Sequence, residues 1–148
     1  MKVQGTFNVK APIQKVWDSV WNEETLPTWV PGCTRAEIKD DRHIVATVEQ
    51  AVAFLKSRFD IDLEVTERED PNRAVFTGSG KDPKIASTLK LTLELRMKEL
   101  SEQETEVSYE GEVNMFGRVA SIGHFVIQAK AKELEREFVK KVQAMFES

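Results

Sequence analysis

The alternation of apolar and polar positions divides the chain into three stretches. In the opening VQGTFNV, Val3, Gly5, Phe7 and Val9 share one face, which is the two-residue period of a strand. Pro12 then occupies a favourable first-turn position, and Ile13, Val16, Trp17, Val20 and Trp21 recur at helical spacing. A second short helix is predicted from Glu23 to Trp29, capped by Asn22, interrupted by Pro27 and ended by Pro31-Gly32.

From Cys33 to about Met115 the period is two. RAEIKD, an Asp40-Asp41 turn and HIVATVEQAVAF form a predicted hairpin. In LKSRFDIDLEVTE, Leu55, Ser57, Phe59, Ile61, Leu63 and Val65 face one side and charged residues the other. EDPN and KDP supply turns on either side of the strand RAVFTGSG. Leu89, Leu91, Leu93, Leu95 and Met97 alternate with polar residues, as do Thr105, Val107, Tyr109, Gly111, Val113 and Met115. Such alternation indicates antiparallel strands with one wet face.

Beyond Met115 the period lengthens to that of a helix running to the C-terminus. Its stripe is Ala120, Gly123, Ile127, Ala131, Leu134, Phe138, Val142 and Met145. Val119, Ile122, Phe125, Val126 and Ala129 widen the apolar arc in the first half, and Glu137 and Lys141 are placed as an i,i+4 pair.

A layer of seven twisted strands needs its apolar face covered, and only the last helix is long enough. The expected architecture is α+β, a helix-grip: a seven-stranded curved antiparallel sheet around a C-terminal helix of about 45 Å. The two short helices after the first strand would plug one open end, and residues 1–148 would form one domain.

Composition narrows the function. A net charge of −4 and a pI near 5.3 argue against nucleic-acid binding, which needs a basic surface. The single cysteine cannot form an internal disulfide, so a reducing compartment is expected. MKVQGTFNVKAP lacks a signal-peptide core, and no run of about 18 apolar residues occurs. A soluble cytoplasmic protein without a transmembrane segment is expected.

The inward faces hold the candidate site. Phe59, Ile61, Phe76, Leu91, Leu93, Tyr109 and Val113 project from strands, and Ile122, Phe125 and Val126 from the helix. For any one of them, plain core packing is the alternative. Collectively they face small residues: Ala120, Ser121, Gly123 and Ala129 lie opposite Gly78, Gly80 and Gly111. That pairing leaves volume which a packed core would fill. A ligand cavity beneath the first half of the last helix is therefore expected.

Among polar residues, Tyr109 would either fix a ligand head group or bond to backbone, and Ser57 and Thr105 share that ambiguity. His43 and His124 are too few for a metal site, and His124 is expected at the cavity mouth. No nucleophile, base and orienting group converge, so no catalytic residue and no cofactor is expected. Cys33 follows a helix C-terminus, where the dipole disfavours a thiolate, and is expected to be a small buried strand residue. LPTWVPGCT forms a rigid corner that would set Trp29 and Val30 at the mouth. The run Glu102, Glu104, Glu106, Glu110 and Glu112 is expected to pair across strands with Lys90, Arg96 and Lys98.

Several motifs occur in a telling order: Gly5 and Phe7, Ala11-Pro12 with Val16-Trp17, Val30-Pro31-Gly32-Cys33, Gly78 and Gly80, and Phe116-Gly117 to Ile122-Gly123. With them the chain resembles the carbon monoxide dehydrogenase CoxG family of the START-like (SRPBCC) helix-grip superfamily. The resemblance implies a hydrophobic cavity suited to quinones or lipids and a link to molybdenum-containing hydroxylases or their maturation factors. Many members carry a C-terminal extension proposed to reach the membrane. Here Ser148 directly follows the helix, so the cavity is the expected working part, with only peripheral membrane contact. The leading expectation is a non-catalytic carrier of a quinone or lipid. The alternatives are an adaptor, maturation or membrane-recruitment factor for such an enzyme, or a small cyclase- or hydrolase-like enzyme.

Overall fold

The two-residue period of the chain's middle becomes one seven-stranded antiparallel sheet in a computed structural model that describes residues 1–147; Ser148, the end of the expected domain, lies outside the described residues. The strands are β1 (Lys2–Val9), β2 (Cys33–Ile38), β3 (His43–Val52), β4 (Leu55–Glu69), β5 (Arg73–Asp82), β6 (Ser87–Ser101) and β7 (Glu104–Gly117). Their spatial order is β1-β7-β6-β5-β4-β3-β2, so β2 to β7 form a meander and β1 returns to pair with β7. Two helices, α1 (Ile13–Val20) and α2 (Leu26–Trp29), connect β1 to β2, and α3 (His124–Met145) lies along the inner face of the curved sheet. This is the expected helix-grip.

Inner-face alternation follows the sequence closely. On β4, Leu55, Ser57, Phe59, Ile61 and Val65 are buried while Lys56, Arg58, Asp60 and Asp62 are exposed. The inner face nevertheless does not form one continuous core. One buried cluster joins Phe7, Trp17, Trp29, Phe76, Val107, Phe138 and Val142 at the end closed by α1 and α2. A second joins Leu55, Phe59, Ile61, Ile85, Leu89 and Val119 at the opposite end. Between them Leu91, Leu93, Tyr109, Gly111 and Val113 are only partly buried, because they face open space.

Aromatic contacts organise the first cluster. Phe138 meets Phe7 and Tyr109 edge-on, each at 5.7 Å between ring centroids, and Trp29 at 6.0 Å. Trp21 stacks on Phe76 at 5.8 Å, and the Arg68 guanidinium lies 3.8 Å from the Trp21 ring centre.

Four local expectations are corrected. The long helix does not begin after Met115: β7 continues to Gly117, a 3-10 turn spans Arg118–Ile122, and α3 follows. Two glycines with positive φ, Gly117 (+88°) and Gly123 (+114°), break the helical path on either side of that turn. The second helix is shorter than expected, since Asn22 uses its side chain to accept from the Glu24 amide and residues 23–25 form turns. The acidic strand faces do not ladder as expected. Arg96 instead pairs with Glu94 of its own strand at 2.7 Å, and Arg73 of β5 bonds the same carboxylate at 2.7 Å. Among the described residues Glu137 and Lys141 make no ion pair; Lys130–Glu133 does, at 3.3 Å.

Candidate functional site: an apolar cavity under the C-terminal helix

The space between the two clusters is a cavity of about 290 Å³. That is about the lower limit of small-molecule pockets. Its floor is the middle of the sheet, from β3 through β7, and its roof is one face of α3: Ile127, Ala131, Leu134 and Phe138, with Lys130 and Glu135 at the edges. α3 can roof it because its stripe recurs every three or four residues, so one face stays apolar over three turns.

Nine of the twelve residues singled out in the sequence line this cavity: Trp29, Val30, Phe59, Ile61, Phe76, Leu91, Leu93, Tyr109 and Val113. The other three do not. Phe125 and Val126, expected to point inward, are 85% and 41% exposed. The helix starts afresh at Gly123, which resets the phase and turns Ile127 inward. Ile122 belongs to the 3-10 turn and packs on the second cluster. In that turn Val119, 1% exposed, plugs the sheet's end, and its amide is held by Ser87 Oγ at 2.9 Å.

The glycines do not create the space in the expected way. A Cβ on Gly78 would lie 2.7 Å from Leu63 Cδ2, and one on Gly80 2.9 Å from Ile61 Cγ1, so neighbouring side chains lean over both positions. Gly123 has no atom within 4 Å of its Cβ direction and lies away from the cavity. Gly5 does matter. An added Cβ there would come within 2.5 Å of the Tyr109 hydroxyl, so the tyrosine ring lies across the bare backbone of β1.

Tyr109 is thereby clamped between Gly5 and Phe138, and its hydroxyl donates to Glu135 Oε1 at 2.8 Å. Burial and the facing Glu135 carboxylate both hold the phenol well above its ordinary pKa. The Tyr109 hydroxyl and Glu135 carboxylate form the polar mark on a predominantly apolar wall, with Lys130 one turn earlier on the helix. Glu135 and Lys130 were missed in the sequence because they flank the apolar stripe. The signal was there: Glu135 lies four residues after Ala131 and Lys130 three after Ile127.

The remaining candidates have structural partners. Thr105 donates to Ala11 O at 2.8 Å, and Ser57 to Gln50 O at 2.8 Å. His43 closes the β2–β3 turn against Asp40, whose carboxylate accepts the Arg42 and His43 amides and is held below its usual pKa, mainly by the Arg42 amide. His124 is exposed and off the cavity wall. Among the described residues no group of three metal-ligating side chains occurs.

The LPTWVPGCT corner is a wall of the cavity. Trp29 is 8% exposed, and its indole N–H donates to Ser19 Oγ at 2.8 Å. Gly32 has φ +75°, and a Cβ there would lie 2.9 Å from the Gln50 amide nitrogen, so the corner requires glycine. Cys33 is half-buried rather than covered; its thiol donates to Arg35 O, and burial raises its pKa. No helix among the described residues is long and apolar enough to cross a membrane.

The fold has close counterparts among solved structures. A conserved protein from Geobacillus kaustophilus superposes with a TM-score of 0.84 at 22% identity, covering 99% of this chain and 95% of that one. A START superfamily protein from Mycobacterium smegmatis gives 0.71 at 14%, covering 98% and 96%. The Zhui aromatase/cyclase from a Streptomyces species gives 0.67 at 15%, covering 98% and 92%. At these identities the likeness establishes the fold alone. Comparison with curated protein sequences finds no match. The family model for CoxG, the G subunit of carbon monoxide dehydrogenase, matches residues 5–146, which takes in all of the sheet but the start of β1, nearly all of the cavity lining and the whole of α3, and the chain belongs to that family.

Proposed function

We propose that this protein is a non-catalytic carrier for an apolar small molecule with one polar head, of the quinone or lipid class, held between the sheet and α3. The observation that carries this is an apolar gap between two separately packed clusters, marked on one wall by Tyr109 and Glu135. A chain of this size would normally fill such a gap, because interiors pack as densely as organic crystals. With the Tyr109 proton committed to Glu135, the pair offers acceptor oxygens to a hydroxyl head group, and Lys130 at the cavity edge supplies the donor that a carbonyl needs. Trp29, Val30, Phe59, Ile61, Phe76, Leu91, Leu93 and Val113 would contact the apolar body.

The non-catalytic role rests on the same inventory. The Tyr109 hydroxyl is engaged with Glu135 and resists ionisation, and the cavity's other hydroxyl-bearing side chains are Ser57, tied to backbone, and Thr92. Membership of the carbon monoxide dehydrogenase CoxG family supports a molybdenum-containing oxidoreductase as the enzyme served. Titration with a short-chain naphthoquinone, followed by tryptophan emission, tests the carrier role. Trp29 is the one tryptophan on the cavity wall, so saturable quenching is expected. It should be lost in Ala131→Leu, which fills the roof. Quenching that is linear, or unchanged in that variant, would refute the carrier role.

A further inference from the structure

The cavity wall holds few polar side chains, and their donors already have acceptors. Ser57 donates to Gln50 O at 2.8 Å, the Gln50 amide to Gly32 O at 3.4 Å, and the Trp29 indole to Ser19 Oγ at 2.8 Å. Thr92 reaches the lining from an exposed position that alternates outward between Leu91 and Leu93. The Met1 amino group donates to Val113 O at 2.9 Å, two inner-face positions along β7 from Tyr109. Lys130 pairs with Glu133 at 3.3 Å. It lies five residues before Glu135, about 140° around the helix axis, and so meets a different part of any bound molecule.

Tyr109 and Glu135 stand out by what they leave unused. The phenol commits its one proton to Glu135 Oε1 at 2.8 Å, which leaves its oxygen only as an acceptor. Glu135 Oε2 has no protein donor among the described residues. Gly5 and Phe138 hold the tyrosine ring from either side, so the hydroxyl does not swing round to offer its proton to the cavity.

We propose that Glu135 is the specificity-determining residue of the cavity: with Tyr109 it forms an acceptor-only pole that takes the hydroxyl of an apolar alcohol or phenol and refuses ether, carbonyl and carboxylate groups. This selectivity presupposes the carrier role proposed above. A ligand hydroxyl donates to Glu135 Oε2, a charge-assisted bond stronger than one between neutral groups. An ether or carbonyl oxygen at the same place would set lone pairs against lone pairs. A carboxylate would add repulsion between two anions beside an apolar wall, where little water screens it. Within the lipid class, long-chain alcohols and phenols therefore qualify and free fatty acids do not.

Three probes on one ring system separate these heads: 2-naphthol, 2-methoxynaphthalene and 2-naphthoate. Equilibrium dialysis against the full chain at neutral pH gives their affinities. Wild type should bind 2-naphthol about tenfold or more tighter than the methyl ether, which lacks only the proton, and 2-naphthoate more weakly than either. Glu135→Gln keeps an acceptor for the Tyr109 hydroxyl but offers amide protons to the cavity. There the naphthol-to-ether ratio should fall to within about threefold, and 2-naphthoate should gain roughly tenfold. Matched melting temperatures place the change at the head group, and Ala131→Leu should block all three probes. The wild-type ratio stands without any variant. Equal affinity for naphthol and its ether, both blocked by Ala131→Leu, would overturn the acceptor-only pole and leave the carrier role intact. An unchanged ratio in Glu135→Gln would do the same. Absence of saturable binding by every probe would overturn both.

Discussion

Tyr109 and Glu135 meet across the cavity wall, one from the sheet and one from the helix, at 2.8 Å between hydroxyl and carboxylate. Tyr109 is the only tyrosine in the chain, so its ionisation can be followed directly by near-ultraviolet phenolate absorbance. Its midpoint should lie above the ordinary value of 10.0, because burial and the facing carboxylate both oppose the phenolate. Removing the carboxylate in Glu135→Gln should lower the midpoint towards that value, with burial retaining part of the shift. The phenol's pKa is raised in the folded state, so its contribution to stability is complete below the unfolded value and is lost as pH rises through the folded one. Wild type should therefore lose stability in strong alkali, and Tyr109→Phe should lose less.

Gly5 gives a second handle on the same ring. Gly5→Ala would push a methyl group into the Tyr109 hydroxyl end, so either the ring or β1 must shift. The expected outcome is a lowered Tyr109 midpoint with the sheet retained, read by absorbance titration and circular dichroism.

Phe138 joins α3 to the sheet and the corner, touching Phe7, Tyr109 and Trp29 from a 6% exposed position. Phe138→Ala should destabilise the protein by about 3–5 kcal/mol in urea unfolding, because it opens a cavity in the well-packed cluster. Ser19→Ala should cost about 1–3 kcal/mol by leaving the buried Trp29 indole N–H without its acceptor.

The two glycines around the 3-10 turn separate strain from collision. Both occupy backbone conformations that other residues resist, so Gly123→Ala should cost about 1–3 kcal/mol through strain alone. Gly117→Ala should cost more, because its methyl group would also collide with the Ala86 carbonyl oxygen. Thermal unfolding of the two variants side by side checks the order.

The sheet was legible because each inner-face residue is followed by an outward polar one, as in Leu55 to Val65 and Leu89 to Met97. That pattern also fixed the inner positions of the seven strand residues now on the cavity wall, while Trp29 and Val30 were read from the proline- and glycine-bounded corner. Helical periodicity was a poorer guide at residues 116–126. There an apolar run fits a helix, but Gly117 and Gly123 bend the backbone and Val119 turns aside to plug the sheet's end. Phe125 and Val126 consequently read as inward when they are exposed. Glu135 and Lys130 escaped notice for a different reason: charged residues beside an apolar stripe usually face water, although their spacing from Ala131 and Ile127 puts both at the cavity edge.

Filling the cavity should separate binding from folding. Ala131→Leu adds apolar atoms to the roof at a helix-compatible position, so its melting temperature should equal or exceed that of wild type. Val113→Phe should do the same from the floor.

Native mass spectrometry of freshly purified wild type and Ala131→Leu is the most direct test that the gap is a binding site. The expected result is an added apolar mass on wild type, removed by organic extraction and absent from the filled variant. A wild-type protein that carries no added mass, and that takes up none when incubated with naphthoquinone or phospholipid, would contradict it.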